Sequence, residues 1–331
     1  MKDLLVISND RIFFSKSNIS SKFNDTINIL DAVQKRFNIY LISRENSTKQ
    51  NFLLKKSKII KLNFKKFFFF RKINKILIIS ITPRNIFFFL IIKFFFKKIN
   101  GFVYLRSDGY KEYKSKYGKL GSIFYDIMMK IVEGNLKIIS VNKNIKTKKI
   151  HYLITPSELN DDWFKKEIKL KLDFPKLLYF GRFKKEKGVF SLIRLLEDEK
   201  FKFNLTIAGD NEKIKKKTKN IKIVRELSNQ KKIINLYNKH NIFILPSYTE
   251  GSPKVVLESL ARKRPVIIFD EIKHVKSNFK GIFISKRNIK DLKKTIKYIL
   301  KNYPKIQKQM SQNILETKKN FQKKLIDILH G

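Results

Sequence analysis

The feature that narrows the fold most is a rhythm. Through the first half of the chain, apolar runs of five or six residues recur at Leu4–Ser8, Ile39–Ser43, Ile76–Ile81, Gly101–Leu105 and Leu136–Val141, each bounded by polar residues. Runs this short and this continuous read as buried strands. Helical spacing fills several of the gaps: from Thr26 to Phe37, the side chains of Ile27, Leu30, Val33 and Phe37 fall on one face. Strand alternating with helix predicts a parallel α/β sheet.

The texture changes at Pro156, where a polar stretch to Phe164 holds the only Trp, and an interdomain link is expected there. A second alternating series follows. Strands are expected at Lys176–Phe180, Phe203–Gly209, Ile221–Val224, Ile242–Leu245 and Pro265–Phe269, with helices at Gly188–Leu196, Ser228–Asn238 and Pro253–Arg262. From Asp291 to Leu329 the tail reads as helical with Lys-rich outer faces. The expectation is two doubly wound α/β domains, 1–155 and 156–331, with the C-terminal helix packing back on the first. No repeat of fixed period appears.

Charge invites a different answer. Against 28 Asp+Glu stand 74 Lys+Arg, a formal net charge of +46. The excess divides evenly: residues 1–150 carry 32 basic and 9 acidic residues, and the rest carry 42 and 19, so each part nets +23. Only 12 of the basic residues are Arg. An even lysine excess reads as a bias of the whole chain, which speaks to solubility and partners and not to fold. With 43% hydrophobic residues and 30 Phe, the chain is no disordered basic tail. Cys is absent, which excludes disulfides and thiolate metal sites, and the four His have no metal-ligand spacing. No metal is expected.

One local feature survives the averaging. Between Glu45 and Asp108 there is no acid, yet 15 Lys+Arg alternate with Phe runs such as Phe67–Phe70 and Phe94–Phe96. Basic plus aromatic composition suits an anionic lipid surface or a single-strand nucleic-acid groove. It also suits core elements with solvated lysines at their ends. The apolar run from Ile86 is broken at Lys93, far short of the roughly 20 residues that span a bilayer. The N-terminus does not read as a signal peptide. A cytoplasmic location is expected, on the inner face of the plasma membrane if residues 46–107 dock there.

Two stretches carry the chemistry. Ile242–Leu245 is a strand, Pro246 and Ser247 end it, Thr249–Ser252 form a turn at Gly251, and a helix starts with Ser252 as N-cap and Pro253 in the first position. Free amides at such a helix start suit a phosphate or a sugar hydroxyl. Glu250 stands in the loop and Glu258 in the helix. An ionised carboxylate can accept two hydroxyl donors, as a vicinal diol offers; an ordinary surface position for Glu258 is the alternative. The second stretch, Leu177 to Val189, is again strand, Gly-containing turn and helix, with Arg182 and Lys187 bracketing the turn. A planar donor fork and a point charge together suit a diphosphate. Lys184 and Lys185 read as solvated charge.

Gly181-Arg182…Glu186-Lys187-Gly188 and Glu250-Gly251-Ser252-Pro253…Glu258-Ser259-Leu260-Ala261 together resemble the group 1 (family 4) glycosyltransferases. The preceding Leu-Pro-Ser, the following Arg262-Lys263-Arg264-Pro265-Val266-Ile267 and the Gly of Ile207-Ala208-Gly209-Asp210 add to the match, over roughly residues 175–300. The resemblance implies a GT-B fold, two Rossmann-like domains facing a cleft, and retaining hexosyl transfer from a nucleotide sugar to a lipid-linked or cell-surface polysaccharide acceptor. The nucleotide sugar would be a co-substrate, with no further cofactor.

Carried over by position, Arg182 and Lys187 would bind the donor diphosphate and stabilise charge on the leaving group. Glu250 would contact the sugar and Glu258 the ribose. Gly181, Gly209, Gly251, Ser252, Pro253, Lys254 and Val255 would line the donor site, with the base near Val224 and Arg225. The family's Gly-rich loop after the first strand is missing from Asn9–Lys16, and its Gly-Gly-x-x-Glu is missing from Asp270–Val275. Where many members carry a His, this chain has Arg106-Ser107-Asp108-Gly109, so Asp108 or Ser107 is the expected stand-in and Asp108 the fourth catalytic candidate. The competing reading is a non-enzymatic basic protein that binds nucleic acid or an anionic membrane. Nucleic acid is disfavoured, because no zinc-finger spacing, aromatic RNA-binding pattern or compact basic helix is present.

Overall fold

The computed structural model describes residues 2–62, 73, 75–96, 99–141, 143, 145–165, 170, 172–197, 202–209, 219–225, 227 and 229–331, with Arg225 described by its backbone only. The runs around Phe67–Phe70, Lys97-Lys98 and Asp210 lie outside these residues. The chain forms two units. Residues Met1–Pro156 and Lys319–Gly331 make the first, and Ser157–Lys318 the second.

The first unit contains β1 (Lys2–Phe14), β2 (Asn18–Ser21), α1 (Asn24–Val33), β3 (Phe37–Glu45), β4 (Phe52–Lys55), β5 (Ile59–Lys61), β6 (Lys75–Ile79), α2 (Pro83–Phe95), β7 (Asn100–Leu105), α3 (Gly109–Glu133), β8 (Lys137–Ser140) and β9 (Tyr152–Leu153). Its parallel strands run β5-β3-β1-β6-β7-β8-β9. The chain leaves β1 in one direction and returns beside it at β6, so the order reverses between those two strands, where open α/β sheets bind ligands. All five expected strands are present. β1 runs on past Ser8 because Ile12–Phe14 pair antiparallel with β2. The helix expected to reach Phe37 ends at Val33, and Phe37 opens β3.

The second unit contains β10 (Lys176–Phe180), α4 (Val189–Glu197), β11 (Asn204–Gly209), β12 (Ile221–Arg225), α5 (Gln230–Asn238), β13 (Ile242–Leu245), α6 (Lys254–Ala261), β14 (Val266–Phe269), β15 (Ile282–Ser285), α7 (Ile289–Lys301) and α8 (Tyr303–Met310). Its sheet is wholly parallel in the order β12-β11-β10-β13-β14-β15. The reversal falls between β10 and β13. Trp163 is buried and packs edge-on against Tyr237, with ring centroids 5.7 Å apart.

The last helix, α9 (Lys318–His330), belongs to the first unit. Phe321, Leu325 and Leu329 enter the core with Ile39 and Phe102. Gln322 Nε2 donates to Asp31 Oδ2 at 2.8 Å, and Lys35 Nζ to Gln322 Oε1 at 2.7 Å. The second unit therefore stops at Lys318 and does not run to 331. Among the described residues no helix is long and apolar enough to cross a membrane.

Candidate functional site

Both motif loops leave the sheet of the second unit at its point of reversal. After β10 the chain turns through Gly181–Gly188, and after β13 through Pro246–Pro253. The two loops are fitted to each other by backbone. Gly188 has φ +67°, and a Cβ there would lie 1.8 Å from the Pro246 carbonyl oxygen. Only glycine meets both the left-handed conformation and the close approach. Tyr248 N donates to the Glu186 carbonyl at 2.9 Å. At the end of β11, a Cβ on Gly209 would lie 1.9 Å from the Gly181 carbonyl oxygen. The small residues of the motif thus let strand ends and loops approach to contact distance.

This fit brings Lys187 and Glu250 together across 63 residues of sequence. Lys187 Nζ lies 2.8 Å from Glu250 Oε1, and both side chains are largely buried. Ser247 Oγ donates to the same oxygen at 2.7 Å. His274 Nε2 donates to the Glu250 carbonyl at 3.0 Å. Glu250 is therefore held by side chain and by backbone, and Lys187 keeps two further donors.

Arg182 is exposed at the same edge, and its carbonyl accepts from Tyr179 OH at 2.7 Å. Gly209 and Arg225 are register partners at the ends of β11 and β12, one step along that edge, with Val224 beside them. Gly251 and Ser252 are half-buried in the second loop. The expected Ser252 N-cap is not formed. Pro253 occupies the cap position and α6 begins at Lys254, so the amides of Lys254 and Val255 open the helix. The Lys254 ammonium is paired with Glu158.

Glu258 is no surface residue. It lies under the loop in α6, buried, with Oε2 2.8 Å from Tyr237 OH. Burial pushes its pKa up to about 7. Tyr237 and Lys254 pull the other way, and the Glu158 charge adds to the rise. Tyr237 OH also lies 3.2 Å from the Val255 carbonyl.

Asp108 belongs to the first unit and is the N-cap of α3, where Oδ1 accepts from Lys111 N at 3.2 Å. The polar cluster of that unit is built by other residues. Arg106, at the end of β7, makes a bidentate pair with Asp10 at 2.9 and 3.2 Å and donates from Nε to Ser80 Oγ at 2.9 Å. Thr26 also donates to Asp10. Burial alone would lower the guanidinium pKa; the Asp10 carboxylate reverses this and raises it. Ser80 follows β6 with φ +67°, a strained conformation held by the hydrogen bond that its backbone N–H donates to the Tyr104 carbonyl at 2.9 Å. Asp10, Ser80 and Arg106 thus share the carboxyl edge of β1, β6 and β7, at that sheet's own reversal point.

Sequence reasoning passed over three residues that shape the two motif loops and the helix beneath them. Arg287 donates to Glu271 Oε1 at 2.7 Å, Ser191 Oγ at 3.0 Å and the Pro246 carbonyl at 3.0 Å, and it stacks between Tyr248 and Phe269. His274 ties its segment to the Glu250 carbonyl, and Tyr237 hydrogen-bonds Glu258. Arg scarcity was a usable signal for Arg287; nothing local marked the other two. Among the described residues no group of three or more His, Asp or Glu side chains could hold a metal ion.

Residues 160–317 match the family model of glycosyl transferases, group 1. Over 114 residues the chain is 32% identical to TuaC of Bacillus subtilis (strain 168), whose name places it in teichuronic acid biosynthesis; the match covers 34% of this chain and 29% of TuaC. Over 199 residues it is 30% identical to the uncharacterized glycosyltransferase MJ1178 of Methanocaldococcus jannaschii, covering 56% of this chain and 55% of that one. The matches thus span 29% and 55% of the length of these curated relatives. Among solved structures, Anabaena Alr3699/HepE in complex with UDP and glucose superposes with a TM-score of 0.65 at 12% identity, covering 100% of both chains. The fold is GT-B, with two Rossmann-like units.

Proposed function

Because residues 160–317 match the family model of group 1 glycosyl transferases, we propose that the chain is such an enzyme and transfers a hexose from a nucleotide sugar to a lipid-linked or cell-surface polysaccharide acceptor with retention of configuration. The observation that carries the reading is the Lys187–Glu250 pair at the reversal point of the second sheet, beside Arg182 and the opening amides of α6. Arg182 and the free donors of Lys187 meet the diphosphate, and their fixed charge stabilises it as it leaves, the role a divalent ion would otherwise fill. Glu250, with one oxygen held by Lys187 and Ser247, presents the other to sugar hydroxyls. Glu258 accepts the ribose diol when ionised. Gly181, Gly209, Gly251 and Ser252 let the donor approach the backbone, and the base lies toward Val224 and Arg225.

The first unit takes the acceptor, at the edge shared by Asp10, Ser80 and Arg106, with Asp108 at the start of α3. The UDP and glucose bound by HepE and the teichuronic acid pathway in the name of TuaC both favour this class of donor and acceptor. The enzyme works in the cytoplasm against the inner face of the membrane. The test is a panel of nucleotide sugars assayed for nucleoside diphosphate release. Arg182→Ala and Lys187→Ala should lower kcat by at least about a hundredfold, as loss of a leaving-group donor does, while the fold is kept. Wild-type turnover in either variant would end the donor-site assignment.

A further inference from the structure

We propose that the outward faces of α2 and α3 form a docking surface for an anionic lipid bilayer. This rests on the membrane side of the reading above and assigns it to residues, partly outside the 46–107 interval. α2 and α3 follow the adjacent parallel strands β6 and β7, and both pack on one face of the sheet. Ile86, Phe89 and Ile92 share a core cluster there with Tyr125, Met128 and Val132. Lys93 at the end of α2 bonds to Asn135, just beyond α3. The two helices therefore form one layer, with their opposite faces turned out.

Those opposite faces are apolar as well. Phe87, Leu90 and Phe94 recur at helical spacing on α2, and Leu120, Ile123 and Ile127 do so on α3, all exposed; Phe94 and Leu120 are 79% and 77% accessible. Nine of the eighteen large apolar side chains exposed among the described residues lie on these two helices. A helix needs one apolar stripe to join a core. The second stripe does nothing for the fold, and a contiguous exposed patch of this kind marks an interaction surface.

Charge selects the occupant. α2 contains no acid, and α3 has none between Tyr113 and Tyr125. Lys114, Lys116 and Lys119 are exposed with no acidic partner among the described residues. Two such faces would repel each other, so a second copy of the chain is a poor occupant. Apolar side chains flanked by lysines, spread over two neighbouring helices, suit an interface where rings and aliphatics enter the acyl boundary and ammonium groups stay among anionic headgroups.

The experiment is flotation of the full chain with phosphatidylglycerol-containing vesicles and with pure phosphatidylcholine vesicles, at roughly 0.15 M salt. The wild type is expected to float with the anionic vesicles only. Phe94→Ser with Leu120→Ser, which leaves the net charge unchanged, should reduce the bound fraction by at least about tenfold, without altering Tm or donor binding. Equal binding by this variant would show that bulk charge alone is at work and would overturn the proposal, as would failure of the wild type to float. A dimer in light scattering that the double variant dissolves would reassign the face to a second copy. Flotation needs no donor, and turnover on a soluble acceptor needs no vesicle, so each reading fails separately.

Discussion

Glu258→Gln should make the protein more stable at alkaline pH and hardly change it at acid pH. The carboxyl is buried, and its pKa is raised from an ordinary 4.5 to about 7. Between those values the folded state holds a proton that the unfolded state has released. Stability therefore falls as pH rises through this window and levels off above about 7. A shift of this size corresponds to roughly 3 kcal/mol at most. Gln is isosteric, never ionises and can still accept from Tyr237. The variant should therefore gain on the wild type progressively from about pH 4 to about pH 8, by up to ~3 kcal/mol. For a unit of this size that is on the order of 6–12 °C in Tm.

The assay is thermal or urea unfolding of both proteins across that range, read as the difference between them, so that titration of the many other groups cancels. Tyr237→Phe gives an independent check. It removes a hydroxyl that holds the Glu258 pKa down, so the window should extend upward. A Gln-minus-Glu difference that stays constant with pH would refute the reasoning, because it would mean the carboxyl titrates alike in the folded and unfolded chains. If ionised Glu258 accepts the ribose diol, wild-type donor affinity should also rise with pH through about 7.

Two further outcomes follow from geometry. Gly188→Ala forces a Cβ against the Pro246 carbonyl in a left-handed conformation; it should cost at least about 2 kcal/mol in urea unfolding and abolish donor binding by prising the two loops apart. Asp10→Asn leaves the Arg106 guanidinium without its counter-charge; a loss of about 3–5 kcal/mol is expected, measured by thermal denaturation, and a change below about 1 kcal/mol would show that the pair is solvated.

The local pattern determined much of this protein. Buried strands announce themselves by unbroken apolar runs, so Leu4–Ser8 or Ile242–Leu245 could be placed without coordinates. Gly181 and Gly251 marked the two loops that follow strands, whereas the left-handed Gly188, read as the start of a helix, closes its loop just before α4 begins. The spacing from Glu250 to Glu258 put one carboxylate in a loop and the next in a helix. The short strands β2, β4 and β9 were not legible, because pairing and not composition makes them strands. Nor did the acid-free interval say which of its Phe side chains are core: in α2 the structure buries Phe89 and exposes Phe94.

Tertiary structure alone decided what the charges do. Lys187 meets Glu250, and Arg106 meets Asp10, across 63 and 96 residues. A sequence records neighbours along the chain, whereas an ion pair depends on neighbours in space and on how far water is excluded from them. The same exclusion turns Glu258 from an ordinary carboxylate into one that holds its proton to about pH 7. The lysines, identical on paper, separate in the same way: Lys187 and Lys254 are fixed beside carboxylates, while others such as Lys114 are left in solvent.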